Sequence, residues 1–348
     1  MIRTFIILLF AALTAQSQSL YPQQHWQPAD PAALGWSVER LGAAHAYAKE
    51  IGPSAVMIVH RGALVVSWGD VDRRHAVQSV RKSFLSALYG VHQIDVEASL
   101  AGLGIDDRPP LTDAEKSARV KHLLTSSSGI YHSALYEHPS WKKRKPARGA
   151  HAPGQEWFYN NWDFNALGTI FERSTKTSIG DAFARDIAGP IGMEDFRPRD
   201  VAYLTRRSLP ERIMKNDSDH RAYIFSVTAR DMARFGLLYL NEGRWDGKQV
   251  VPAEWVREST RAHLDAGRRG SFGYMWWVAP DMVYASGAGG HRILILPKHD
   301  LVVVHQVPTG GVGLFTQLRR RFFGGPSVED EEVAKLLELI LAAHPAAR

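Results

Sequence analysis

The strongest constraint in this sequence is where its strand-like runs fall. Two β-branched runs, AVMIVH at Ala55 to His60 and ALVVSW at Ala63 to Trp68, lie near one end, joined by Arg61 and Gly62, a connection of hairpin length. Three more, FGYMWWV (Phe272 to Val278), RILILP (Arg292 to Pro297) and LVVVHQV (Leu301 to Val307), lie near the other. Between them, from Ser79 to about Arg261, helical spacing dominates. It is clearest over Trp162 to Ser174, Ile179 to Ala188 and Thr228 to Asn241. Strands at both ends and helices between them predict an α+β fold in which both ends of the chain build one antiparallel sheet and the helical block forms a second lobe. A cleft between the lobes is the natural site. An amphipathic helix runs from the N-cap Ser37 to Ile51, with Val38, Leu41, Ala44 and Ala48 at helical spacing, and another closes the chain from about Val328 to Ala343.

Residues 1–19, MIRTFIILLFAALTAQSQS, have a basic start at Arg3, an apolar run from Phe5 to Leu13, and small and polar residues after it. This is signal-peptide anatomy, with Ala15 and Ser17 as the small residues before cleavage. The run falls short of the ~20 apolar residues that a span requires. The expectation is one domain over 20–348, in the periplasm or outside the cell, with no stable membrane span after cleavage. Its sheet lobe covers about 35–100 and 265–348, and its helical lobe about 101–264. With no Cys, neither a lipid-anchoring cysteine nor a disulfide framework is available. The net charge of +6 raises the question of nucleic acid. The one concentrated basic run, WKKRKPARG at Trp141 to Gly149, lacks aromatic interleaving and reads as a solvated loop, so no nucleic-acid partner is expected. The 15 histidines show no ligand spacing. His299 and His305 lie an even number apart and read as a wet sheet face, so no metal and no cofactor are expected.

Nothing in the chain matches a GxSxG elbow, an HExxH helix or a P-loop. Ser79-Val80-Arg81-Lys82 is a Ser-x-x-Lys, and so is Ser140-Trp141-Lys142-Lys143 in the basic loop. Context separates them. From Ser79 the chain turns helical, with Phe84, Leu85, Leu88 and Val91 on one face and Ser79, Lys82, Ser83 and Ser86 on the other. A Ser at the first turn sits near the positive end of the helix dipole. For Lys82 to accept its proton the amine must titrate far below ~10.4, which requires burial or a neighbouring positive charge. Otherwise Ser79 caps a helix and Lys82 is solvated; the motif alone leaves both readings open. Tyr159-Asn160-Asn161 follows a Pro-Gly turn and precedes a helix, whereas the similar Tyr239-Leu240-Asn241 ends one. A phenol near a cationic Lys can be driven toward phenolate and shuttle protons, or it can simply pack in a Trp-rich core. Ala285-Ser286-Gly287-Ala288, leading into a strand, can bring backbone N–H groups to a substrate carbonyl or form a plain turn.

Taken in order, Ser-x-x-Lys, Tyr-x-Asn and a small-residue-Gly segment before a late strand resemble the serine β-lactamase and penicillin-binding-protein superfamily. The likeness covers roughly Gly35 to Pro308 and includes VKHLLTSSSGI at Val120, PGQEWFYNN at Pro153 and RDMARFGLLYLNEGRW at Arg230. It implies that Ser79 is acylated, Lys82 takes its proton, Tyr159 is a shared acid/base and Asn161 bonds the substrate amide. The oxyanion hole would be the N–H groups of Ser79 and Ala288, with Ser286 and Gly287 beside the substrate. In β-lactamases the third element is Lys-Thr-Gly, whose Lys helps hold a carboxylate; Ala285-Ser286-Gly287 carries no cation there. The sequence is most similar to family VIII-type carboxylesterases and 6-aminohexanoate-dimer hydrolases, which implies a small ester or amide as the acyl substrate. Relatives often carry Gln where His291 stands; His291 either contacts substrate or starts the strand. A D-alanyl-D-alanine carboxypeptidase or β-lactamase, and a non-catalytic module of the same fold, are the alternatives.

Overall fold

The computed structural model describes residues 21–213, 215–309 and 327–345. The expected signal segment lies outside them. Strands β1 (Ala55–His60), β2 (Ala63–Gly69) and β3 (His75–Ala76) come first. Next are β4 (Val201–Leu204), β5 (Ala222–Val227), β6 (Arg244–Trp245) and β7 (Lys248–Gln249). Last are β8 (Leu264–Asp265), β9 (Ser271–Phe272), β10 (Trp277–Ala279), β11 (Met282–Gly287), β12 (His291–Leu296) and β13 (Leu301–Gln306). The helices are α1 (Val38–Ile51), α2 (Arg81–Val91), α3 (Asp113–Lys116), α4 (Val120–Leu124), α5 (Pro139–Arg144) and α6 (Asn161–Thr175). They continue with α7 (Ile179–Phe183), α8 (Leu209–Ile213), α9 (Ala229–Leu240), α10 (Ala253–Ser259) and α11 (Asp330–Ala343).

Both ends of the chain do build one antiparallel sheet, in the order β2-β1-β13-β12-β11-β10-β9-β8. Arg61 and Gly62 take φ of 52° and 76°, as a tight two-residue hairpin requires. Side chains alternate across the sheet. Val56, Ile58, Leu294 and Val303 meet Leu41 and Ala44 of α1 and Leu336 and Ile340 of α11. Met57, Val59, Ile293, Ile295, Val302 and Val304 face the larger core with α2, α6 and α9. Both faces are covered, so the strands read as continuous apolar runs. Helix α1 starts where expected, its first turn capped by Ser37 Oγ accepting from the Arg40 N–H at 3.4 Å. Gly52 ends it with a left-handed φ of 69°. Val38, assigned to the apolar face, is exposed.

Several expectations need correction. The mostly helical middle of the chain also carries strands beyond those expected: β5 and β4 join β3 in a small sheet, and β6 and β7 form a hairpin. AYIFSV at Ala222–Val227 is buried on both faces, so it lacks the alternation that marks a half-exposed strand. FGYMWWV is two strands, β9 and β10, folded back so that Trp277 pairs Phe272. Met275 makes the bend at φ 62°, held by the Ser83 hydroxyl donating to its carbonyl at 2.8 Å. Ile179–Ala188 is not one α-helix, because a π turn over Ala184–Ala188 follows α7. The basic run is only partly a solvated loop. It holds α5, Lys145 pairs with the buried Glu137 at 2.8 Å, and Arg148 pairs with Glu115 at 2.6 Å. His299 lies in a turn before β13, and His305 is buried inside it, so neither forms a wet sheet face.

Candidate active site

The centre forms where α2 enters the core. Its whole length from Arg81 to Gly90 is buried, so the two-faced pattern in the sequence corresponds to two different buried neighbours rather than to core and solvent. A short 3₁₀ turn, Gln78–Val80, leads in and carries Ser79. Gln78 holds a φ of 52°, a left-handed conformation costing roughly 1–2 kcal/mol for an L-residue. Its side chain fixes the turn: the Tyr136 hydroxyl donates to Gln78 Oε1 at 2.7 Å, and Gln78 Nε2 donates to the Ala76 carbonyl at 3.3 Å.

Lys82 Nζ stands at the middle of the constellation, 3.0 Å from Ser79 Oγ, 2.6 Å from Tyr159 Oη and 3.1 Å from Asn161 Oδ1. The Ser140–Lys143 match lies on exposed α5, with Ser140 Oγ beside His138. Tyr159 and Asn161 arrive through the start of α6, capped by Asn160, whose Oδ1 accepts from the Trp162 N–H at 3.3 Å. The TSSSG loop clamps this segment: Ser126 Oγ donates to the Phe158 carbonyl at 2.7 Å and accepts from the Asn160 N–H at 2.9 Å. Four rings enclose the phenol, with Trp277 stacked on it at 5.7 Å, Trp141 and Phe164 at 5.1 Å, and Phe272 at 6.2 Å.

Burial first, and the adjacent Arg81 guanidinium second, hold Lys82 well below the usual lysine range; the Glu137 carboxylate opposes them. Burial raises Tyr159, against the Ser79 hydroxyl and the charges of Arg81, Arg269 and Arg292. The two shifts run in opposite directions: burial favours the neutral amine of Lys82 and the intact phenol of Tyr159.

The third element lies against the same turn. Strand β11 ends at Gly287, where a Cβ would run into the Val77 carbonyl oxygen, so only glycine permits this close approach. Ser286 is buried, and Ala288, the next residue after the strand, is exposed. His291 does start β12, but its ring is fully buried and offers no surface to a substrate. Its Nε2 lies 3.0 Å from Thr309 Oγ1, and that hydroxyl donates to the Ala76 carbonyl at 3.1 Å. The hydroxyl's one proton is thereby used, so His291 donates from Nε2 and buttresses the backbone that leads to Ser79.

Gln78, Arg81, Tyr136 and Trp141 also surround this centre, although motif reading singled out none of them. Arg81 alone had a signal, a charge inside a mostly apolar helix. Among the described residues no group of three His, Cys, Asp or Glu is placed to hold a metal ion, and no helix is long and apolar enough to cross a membrane.

Among known proteins, an uncharacterized protein of Alkalihalophilus pseudofirmus is 22% identical over 288 residues, 72% of this chain and 82% of its own length. A candidate 6-aminohexanoate-dimer hydrolase from Bacillus anthracis has a similar structure, with a TM-score of 0.64 at 20% identity, covering 92% of this chain and 87% of that one. A family VIII carboxylesterase gives 0.61 at 16% identity over 88% and 97%. A penicillin-binding-protein homologue from Caulobacter crescentus gives 0.60 at 16% over 89% and 99%. At these identities the likeness is one of fold. The beta-lactamase family model matches residues 38–310, a span that contains Ser79, Lys82, Tyr159 and the β11 end. The chain belongs to the beta-lactamase family of serine hydrolases.

Proposed function

We propose that the protein is an exported serine esterase or amidase that forms an acyl-enzyme on Ser79 with a small, uncharged acyl substrate. The observation that carries this is the position of Lys82 Nζ, within hydrogen-bond reach of Ser79, Tyr159 and Asn161 together. In the proposed course, Ser79 Oγ attacks the acyl carbon and its proton passes to Lys82. The new Oγ–C bond leaves negative charge on the carbonyl oxygen, where the N–H groups of Ser79 and Ala288 serve as donors. Collapse breaks the bond to the leaving oxygen or nitrogen, which takes the proton relayed from Lys82 through Tyr159. Water then gives a proton to the same pair, adds to the acyl carbon and displaces Ser79 Oγ, which recovers its own. Asn161 holds the substrate amide or ester edge.

Ala285 stands where β-lactamases have the lysine of Lys-Thr-Gly, and a carboxylate-bearing penicillin loses that anchor. An ester or amide without a carboxylate has no need of it. The names borne by two structural relatives, a family VIII carboxylesterase and a candidate 6-aminohexanoate-dimer hydrolase, are in keeping with this choice. The test is Ser79→Ala assayed on a panel of chromogenic short-chain esters and amides. Turnover should fall by about 10³-fold or more, with labelling by a fluorophosphonate probe lost and the circular dichroism unchanged. Retained turnover or labelling refutes the nucleophile. Strong labelling of the native protein by a fluorescent penicillin points instead to a cell-wall carboxypeptidase.

A further inference from the structure

Arg81 sits in the middle of the Ser-x-x-Lys motif, yet no step above uses it. Its side chain is 1% exposed, and its Nε and Nη1 find no hydrogen-bond partner. No carboxylate is ion-paired with it among the described residues, and the remaining residues contain no Asp or Glu. Two acids of the same region have other partners. Glu137 pairs with Lys145 at 2.8 Å, while Glu211 accepts from Asn216 Nδ2 at 2.5 Å and from the Tyr136 N–H at 3.2 Å. What Arg81 does have is aromatic: its guanidinium lies 4.3 Å over the Tyr223 ring on β5 and 5.9 Å from that of Tyr136. Such stacking offsets part of the desolvation of a cation without neutralising it. Arginine does not give up its proton in proteins, so the charge persists. The other cations acting on Tyr159, Arg269 and Arg292, share the carboxylate of Asp330, which offsets one of their two charges.

We propose that Arg81 is a positioning residue of the catalytic centre: a buried guanidinium, stacked on Tyr223 and left without a carboxylate, whose uncompensated charge keeps Lys82 available as a base. This rests on Lys82 acting as the base of the proposed reaction. Among the described residues the groups that face Lys82 divide. Arg81 repels the ammonium, while the Glu137 carboxylate, the Asn161 Oδ1 acceptor and the faces of the Tyr159 and Phe164 rings favour it, and Ser79 is neutral. A carboxylate paired with Arg81 would cancel the effect, and among the described residues none is ion-paired with it.

The test is the pH profile of kcat/KM for a neutral ester, together with the pH dependence of Ser79 labelling by a fluorophosphonate. In Arg81→Gln the acid limb should move up by roughly one pH unit or more, with activity recovering at alkaline pH. Arg81→Lys, which keeps a charge, should hold the limb near its native position. An unmoved limb with rates lowered alike at every pH would reduce Arg81 to packing and overturn the proposal, as would Arg81→Lys behaving like Arg81→Gln. If Arg81→Gln does not fold, Glu137→Gln still decides: removing the opposing carboxylate should move the limb down, and an unmoved limb counts against the electrostatic role. Lys82→Ala separates the two levels. Activity surviving in it would sink the catalytic reading itself, whereas a dead Lys82→Ala with unmoved limbs elsewhere sinks only the role of Arg81.

Discussion

At the scale of single residues, the centre is built from groups that stability alone would not select. Lys82 is wholly buried with its amine held below its ordinary range, chiefly by desolvation. The sign of the linked stability follows. In the unfolded chain the amine keeps its proton up to ~10.4, and in the folded protein it releases it at lower pH. Between those two values the unfolded state binds more protons, so this residue's burden on the fold is full below the folded value and fades as pH rises toward 10. Lys82→Met should therefore melt higher than the native protein at pH 7, by about 1 kcal/mol, while losing activity, and the gain should shrink at pH 10. Urea melts at the two pH values check this; a variant less stable at pH 7 refutes it. Ser79, Lys82, Tyr159 and Asn161 were legible in the sequence because each lies in a short motif at a helix start. Gln78, Tyr136 and Trp141 were not, because their roles depend on where the 131–150 loop settles. His291 was left open between two readings, and its burial against Thr309 supports the structural one.

At the scale of elements, the close approach of β11 to the Ser79 turn is the contact on which the proposed site depends most. Gly287 makes it possible, since a Cβ there would overlap the Val77 carbonyl and crowd Gln78. Gly287→Ala must push the strand end off the turn, which should destabilise the protein by about 1–3 kcal/mol and lower kcat/KM at least tenfold. Gly42→Ala is the contrast. Exposed on α1, with nothing within 4 Å of a new Cβ, it should stabilise by about 0.5–1 kcal/mol and leave kcat/KM unchanged. Equal effects of the two substitutions would show that backbone contact at β11 is not special. Helices with side-chain caps, such as α1 and α9, could be read from the sequence to within a residue or two. The β9–β10 bend could not, because it is made by Met275 held through Ser83, a partner nearly two hundred positions away. A bend imposed by tertiary contact leaves no turn residue in the local sequence.

At the scale of the whole molecule, the paired strand runs at the two chain ends determined the sheet, and the sheet determined which segments meet at the site. The cover that α1 and α11 provide was legible from their amphipathic spacing, whereas β5, buried on every side, carried no periodicity to read. The same thorough burial takes histidines into the core. Burial pushes His305, inside β13, down to about 4; its Nδ1 donates to the Gly290 carbonyl at 2.7 Å, and Arg292 adds repulsion. A histidine neutral in the folded state and titrating near 6.5 when unfolded contributes its full stability above pH 6.5. That contribution is lost as pH falls through the window from 6.5 to about 4. His60, also lowered to about 4, acts in the same direction, whereas Asp231, raised to about 6 by burial, gains stability over part of that window and masks the sum. The prediction is therefore differential. His305→Asn keeps the donor to Gly290 without a titrating ring, so its stability relative to the native protein should improve by about 2–3 kcal/mol between pH 7 and pH 4. Denaturant melts of both proteins at pH 7, 5.5 and 4 measure this directly, and parallel losses in the two would mean that His305 takes up no proton on unfolding.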